Sequence, residues 1–228
     1  MILTFAAALA AAAPATACPN LVTPEALVCR ALEAQKAGDP ATAAQGFEQA
    51  ALAASDNEGA TAHMFAAAGN LWIEANQPAK AAAALDKAIA MPGLTNVQRG
   101  EALLDRARAA EALGDLRTAR TKLNLAAPSI GGDPFYWYFS AALAVREGDA
   151  ATAKSAIAKA LSLAPDDPTI LFEAGHVAHF TGDDVAARRY WQQAQAGDPR
   201  GPTGAAAAKA IELLGVTPVV KLEPASPK

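Results

Sequence analysis

Two adjoining stretches of this chain echo each other. Residues 133–165 and 167–199 align at a constant offset of 34, which puts Gly148 on Gly182, Ala153 on Ala187, Ala160 on Ala194 and Pro165 on Pro199. A fixed period of this length marks one small supersecondary unit stacked on copies of itself, because such a unit cannot bury both of its faces alone. Upstream the register recurs as Gly114 with Ala119, Leu123 and Ala126. It continues back to Asn76 with Ala81, Leu85 and Ala88, and to Gly38 with Ala43, Phe47 and Ala50. These two earlier steps are 38 residues, and the surplus is expected in loops around 55–59 and 91–97, where Ser, Asp, Asn, Pro and Gly gather.

Each unit reads as a helix of about 13 residues, a break and a second helix. The breaks are Gly38-Asp39, Asn76-Gln77, Gly114-Asp115, Gly148-Asp149 and Gly182-Asp183. Gly or Asn takes the left-handed conformation that closes the first helix. The Asp caps the second, and Pro40 or Pro78 just inside its start sacrifices no hydrogen bond. Hydrophobic residues are 52% of the 228-residue chain, much of it alanine, whereas aromatics are 6%. Alanine favours helices that approach closely over a bulky core. The net charge of −4 and the absence of a basic run argue against a nucleic-acid partner.

Residues 1–17 read as a secretory signal peptide: an uncharged apolar run, Pro14, then the small-x-small Ala15-Thr16-Ala17. Neither Lys nor Arg precedes the run, so an alanine-rich first helix or an uncleaved anchor stays open. Export places Cys18 and Cys29 in an oxidising compartment, where an even count points to a disulfide. Two further outcomes stay open: a lipid on Cys18, although Ala15 stands where lipoproteins usually carry a large aliphatic residue, and two free thiols. The segment 18–23 then leads into the first helix.

The repeated positions resemble the tetratricopeptide repeat (TPR) family over about 24–201. Large residues open the first helices at Leu27, Phe65, Leu103, Trp137 and Leu171, and small ones follow at Ala31, Gly69, Ala107, Ala141 and Gly175. The second helices carry Ala43, Ala81, Ala119, Ala153 and Ala187, then bulky Phe47, Leu85, Leu123, Ile157 and Trp191, then Ala50, Ala88, Ala126, Ala160 and Ala194. The family's mid-helix aromatic is present only as Trp72, against Ala34, Ala110, Ala144 and Ala178, and closing prolines only as Pro165 and Pro199. The resemblance implies an all-α, right-handed α-solenoid of five helix-turn-helix repeats: 24–57, 62–95, 100–133, 134–167 and 168–201. A capping helix over 202–214, stopped by Gly215, and a flexible tail over 215–228 complete the expectation.

No nucleophile elbow, phosphate loop or dinucleotide fingerprint is present, and no catalytic constellation or cofactor is expected. His176 and His179 share a helix face and could hold a metal only if Asp183 or Asp184 and another ligand converged, so no metal is assigned. Glu33, Glu48, Glu74, Asp86, Glu101, Asp105 and Glu111 read as solvated faces, with Arg106 and Arg108 beside Asp105.

In the TPR family the first helices line a concave groove that binds peptides. By register this groove would present Glu25, Val28 and Leu32; His63, Ala66, Asn70 and Ile73; Glu101, Leu104, Arg108 and Glu111; Phe135, Tyr138, Ala142 and Val145; and Thr169, Phe172, His176, His179 and Phe180. The candidate binding residues are Asn70, Arg108, Phe135, Tyr138, Phe172, His176, His179 and Phe180, with the aromatic ones favoured for affinity. Only Asn70 and Arg108 are of the kind the family uses to clamp a C-terminal carboxylate, so a chaperone-tail adaptor is not expected. The function implied is a non-catalytic scaffold in the bacterial envelope, periplasmic by its leader, for another protein or peptide. The alternatives are a self-assembling spacer, a lipoprotein attached through Cys18, and a metal- or small-ligand module.

Overall fold

The computed structural model describes residues 18–54 and 56–216, so the leader and residues 217–228 of the expected tail lie outside the described residues. Among the described residues there are eleven helices and no strand. They form five hairpins: α1 (Pro24–Lys36) with α2 (Pro40–Ala53), α3 (Glu58–Glu74) with α4 (Pro78–Ala90), α5 (Asn96–Ala112) with α6 (Leu116–Ile130), α7 (Pro134–Glu147) with α8 (Ala150–Leu163), and α9 (Pro168–Phe180) with α10 (Asp184–Gly197). A last helix, α11 (Pro202–Val216), packs on α10 and touches α9. Each helix packs on the next, and first helices also meet across repeats, α3 on α5 and α7 on α9.

All five breaks use one device. Gly38, Gly114, Gly148 and Gly182 take φ between 76° and 83°, and Asn76 takes 54°. The next N–H, on Asp39, Gln77, Asp115, Asp149 or Asp183, then reaches back 2.8–2.9 Å to the carbonyl of Ala34, Trp72, Ala110, Ala144 or Ala178. The four aspartates cap the second helices by accepting the N–H of Thr42, Thr118, Thr152 and Ala186 at 2.9–3.0 Å. Gln77 makes no such bond.

The repeated small residues are the helix–helix contacts. Ala43, Ala50, Ala81, Ala88, Ala119, Ala126, Ala153, Ala160, Ala187 and Ala194 are all fully buried. At Gly69 a Cβ would sit 2.3 Å from Leu85 Cγ, and at Gly175 it would sit 2.2 Å from the Trp191 indole nitrogen. Trp72 fills the space between α3 and α4, fully buried. Trp137 departs from the register: it is only half-buried and donates its indole N–H to Gly131, while neighbouring Tyr136 enters the core.

Three boundaries differ from expectation. The surplus of the 38-residue steps is not all loop, because α3 and α5 are 17 residues long. Each begins seven residues before its large residue, Phe65 or Leu103, whereas α7 and α9 begin three before theirs. The added four residues are one helical turn, about 6 Å of length. Asn57 caps the first extension, and a Thr95–Gln98 capping box secures the second. Finally, α11 continues through Gly215 to Val216. A glycine in a last turn costs only about 1 kcal/mol and does not stop a helix by itself.

At the other end, Cys18 and Cys29 are joined by a disulfide. The Arg30 guanidinium adds hydrogen bonds to the carbonyls of Pro19 and Leu21, tying 18–23 onto α1. The bridge occupies the sulfur that a lipid would need. No described helix is long and apolar enough to cross a membrane.

Candidate partner-binding groove

The first helices carry the candidate residues, and the structure sorts these into three groups. The first lies where the two long helices run side by side. A cavity of about 490 Å³ opens between α3 and α5, floored by Ala66, Ala67, Ala102 and Leu104 and edged by His63, Asn70, Gln98, Glu101 and Asp105. The extra turn of α5 supplies Gln98, whose side-chain oxygen lies 3.1 Å from His63 Nε2. Asn70 and Arg108 meet through a residue read as solvated, Asp105. Its Oδ2 accepts from Asn70 Nδ2 at 2.8 Å and its Oδ1 from Arg108 Nη1 at 2.8 Å.

The second group is on α7, where Phe135 and Tyr138 stack edge to face with centroids 6.2 Å apart. Phe135 is 46% exposed. Burial pushes the Tyr138 hydroxyl above its ordinary range; the Glu173 carboxylate adds to the rise and Arg108 opposes it. Tyr138 therefore sits electrically between repeats three and five.

The third group is on α9. The rings of Phe172 and His176 are 4.3 Å apart, and His176 and His179 lie 5.6 and 6.1 Å from Trp191. The two histidines border a cavity of about 430 Å³ that also involves Trp191, Ala210, Leu213 and Leu214. They thus share a space with the final helix, which register alone does not reveal. Trp191 donates its indole N–H to the Phe172 carbonyl at 3.0 Å. Each imidazole has a carboxylate on Nδ1, Glu173 at 3.3 Å for His176 and Asp184 at 2.7 Å for His179. Asp183 is spent on capping α10. Among the described residues, the trio of potential metal ligands whose atoms converge is Cys18, Cys29 and Glu33, and the disulfide commits both sulfurs. Phe180 ends α9, 39% exposed.

Several of the carboxylates expected on solvated faces are ties between repeats. Asp86 pairs with Arg106 at 3.0 Å and Lys122 at 3.7 Å, and Glu111 with Arg146. Arg120 similarly joins Glu147 and Ser140. Their partners sit on neighbouring helices, out of reach of a search for i+3 and i+4 pairs. Sequence reading passed over Glu173 as well, although it stands 68 residues, two full periods, after Asp105.

No family model matches the sequence, and no curated protein matches it. Solved structures do match. PilW, described as a widely conserved type IV pilus biogenesis factor, superposes with a TM-score of 0.67 at 22% identity, over 81% of this chain and 82% of that one. PilF of Pseudomonas aeruginosa gives 0.64 at 15% identity, over 83% and 82%. YrrB, described as a TPR protein with an unusual peptide-binding site, gives 0.57 at 17% identity, over 81% and 91%. The likeness at these identities is one of fold: the described residues form the helical-hairpin solenoid of tetratricopeptide-repeat proteins.

Proposed function

We propose that the chain is a non-catalytic scaffold that holds another polypeptide along its first helices, in the bacterial cell envelope. The observation that carries this reading is the open cavity between α3 and α5, together with the exposed ring of Phe135 on the later first helix α7. A surface with a small-residue floor, polar edges and an exposed aromatic suits an extended segment that inserts side chains. Similarly folded proteins described as a pilus biogenesis factor and as peptide-binding support the same reading. The envelope setting draws support from the leader-like 1–17 and from the Cys18–Cys29 disulfide, which persists in oxidising compartments.

The test is site-specific photocrosslinking in the source cell. A crosslinker replacing Phe135 should trap a discrete polypeptide, and one replacing exposed Lys159 on α8 should not. Equal trapping from both positions, or none from Phe135, would overturn the groove assignment. A product of twice the chain's own mass would identify the partner as a second copy.

A further inference from the structure

Asp105 and Glu173 occupy one register position in repeats three and five, and the chain treats them differently. Asp105 has a donor for each oxygen, Asn70 from the preceding first helix and Arg108 one turn ahead. The residue one turn ahead of Glu173 is His176, whose Nδ1 lies 3.3 Å from Oε2. The register equivalent of Asn70 on the preceding first helix, α7, is Ala142. Alanine offers no donor, so Glu173 Oε1 has no hydrogen-bond partner within the described chain.

Glu173 is nonetheless buried, at 7% exposure. A carboxylate so far out of water and half-satisfied is costly unless something else completes it. Its free oxygen is not sealed in: among the described residues, the fully occluded polar side-chain atoms without a partner are Trp72 Nε1 and Arg106 Nη1. Tyr138 on α7 packs against the cluster that includes Ala174, the next residue in the chain, and the His176 imidazole beside Glu173 lies against Phe172. A planar cation that stacks on aromatic faces while donating N–H groups to a carboxylate meets every one of these features.

Resting on the groove reading above, we propose that Glu173 receives an arginine side chain of the bound polypeptide, at the place where Asn70 serves Asp105. The guanidinium donates to Oε1 and lies against Tyr138. The site is selective because charge-assisted bonds to a poorly solvated carboxylate are stronger than neutral ones.

The probe is the blocked tripeptide acetyl-Ala-Arg-Ala-amide, compared with its citrulline counterpart, which keeps the shape and loses the charge. Amide shifts of the labelled protein on α7 and α9 should move saturably with the arginine peptide. The citrulline peptide should bind at least about tenfold more weakly. Glu173→Gln should abolish the shifts, whereas Glu48→Gln on the second helix α2 should leave them unchanged. Ala142→Asn, which supplies the missing donor from within, should also remove binding. Equal binding of both peptides, shifts that survive Glu173→Gln, or unimpaired binding by Ala142→Asn would overturn the proposal. If the crosslink from Phe135 persists while the peptide is silent, the groove reading stands and only the arginine site falls. If the peptide binds while that crosslink fails, the site stands without the groove assignment.

Discussion

Repeats two and three differ from repeats four and five more than their shared register suggests. In the earlier pair the first helices are one turn longer and enclose a polar-edged cavity in which Asp105 is fully partnered. In the later pair the first helices are shorter, the exposed and half-buried residues are aromatic, and the acid Glu173 is partnered on one side. The backbone scaffold is the same in both. What distinguishes them is whether the neighbouring repeat offers a donor or a methyl group. A solenoid can thus vary its binding surface one register position at a time without disturbing the stack.

The largest expected effect probes the side chain that only the earlier pair has. Trp72→Ala should cost about 3–5 kcal/mol in urea unfolding. Alanine stands at the same position in the other four repeats, and a loss well under this range would show that α3 and α4 close over the gap as those repeats do. Trp72→Phe should cost much less, because it also removes an indole N–H that lacks a partner in a dry site.

Next come the two glycines, one in each pair. Gly69→Ala and Gly175→Ala should each destabilise by about 1–3 kcal/mol, since overpacking forces neighbours off their rotamers. The loss should be larger at Gly175, where Trp191 is held in place by its bond to the Phe172 carbonyl. Equal melting shifts for both would mean that the indole relaxes as readily as Leu85.

The smallest effect concerns the capping device that repeat two lacks. Gln77→Asp should stabilise by about 1 kcal/mol. It should also bring the acid sensitivity of the other breaks. Asp39, Asp115 and Asp149 have carboxyl groups held below their ordinary 3.8 by hydrogen bonds from Thr42, Thr118 and Thr152. The folded state then binds protons less readily than the unfolded one. Their contribution is complete above pH 3.8 and is lost as pH falls through the lower folded values. The gain from Gln77→Asp should therefore be present at neutral pH and shrink in the same acid window. A gain that does not change with pH would show that the new carboxylate does not cap α4.

The helical breaks were legible residue by residue, because a left-handed glycine followed by a capping aspartate is a local requirement of the backbone. The interhelical small residues were legible too, since close approach leaves no alternative to Ala or Gly. The candidate site was legible only as positions. Arg108 was legible beside Asp105, but the bond from Asn70 that joins the three was not, because Asn70 is 35 residues away. His176 and His179 were placed on the open groove, and the cavity they share with Leu213 and Leu214 depends on where α11 docks. The surplus of the 38-residue steps was assigned to loops because Asn, Gly and Ser carry turn propensity. Capping by Asn57 and Thr95 turned part of it into helix.

The sequence by itself determined the period, the five hairpins and the residues at which helices touch. These follow from backbone stereochemistry and side-chain size, which act over a few residues and repeat with the register. The tertiary structure alone decided which acids are satisfied, which rings face outward and what the last helix covers. Those outcomes depend on donors and surfaces brought together from different repeats, and Glu173 opposite Ala142 is the case where the chain leaves one of them open.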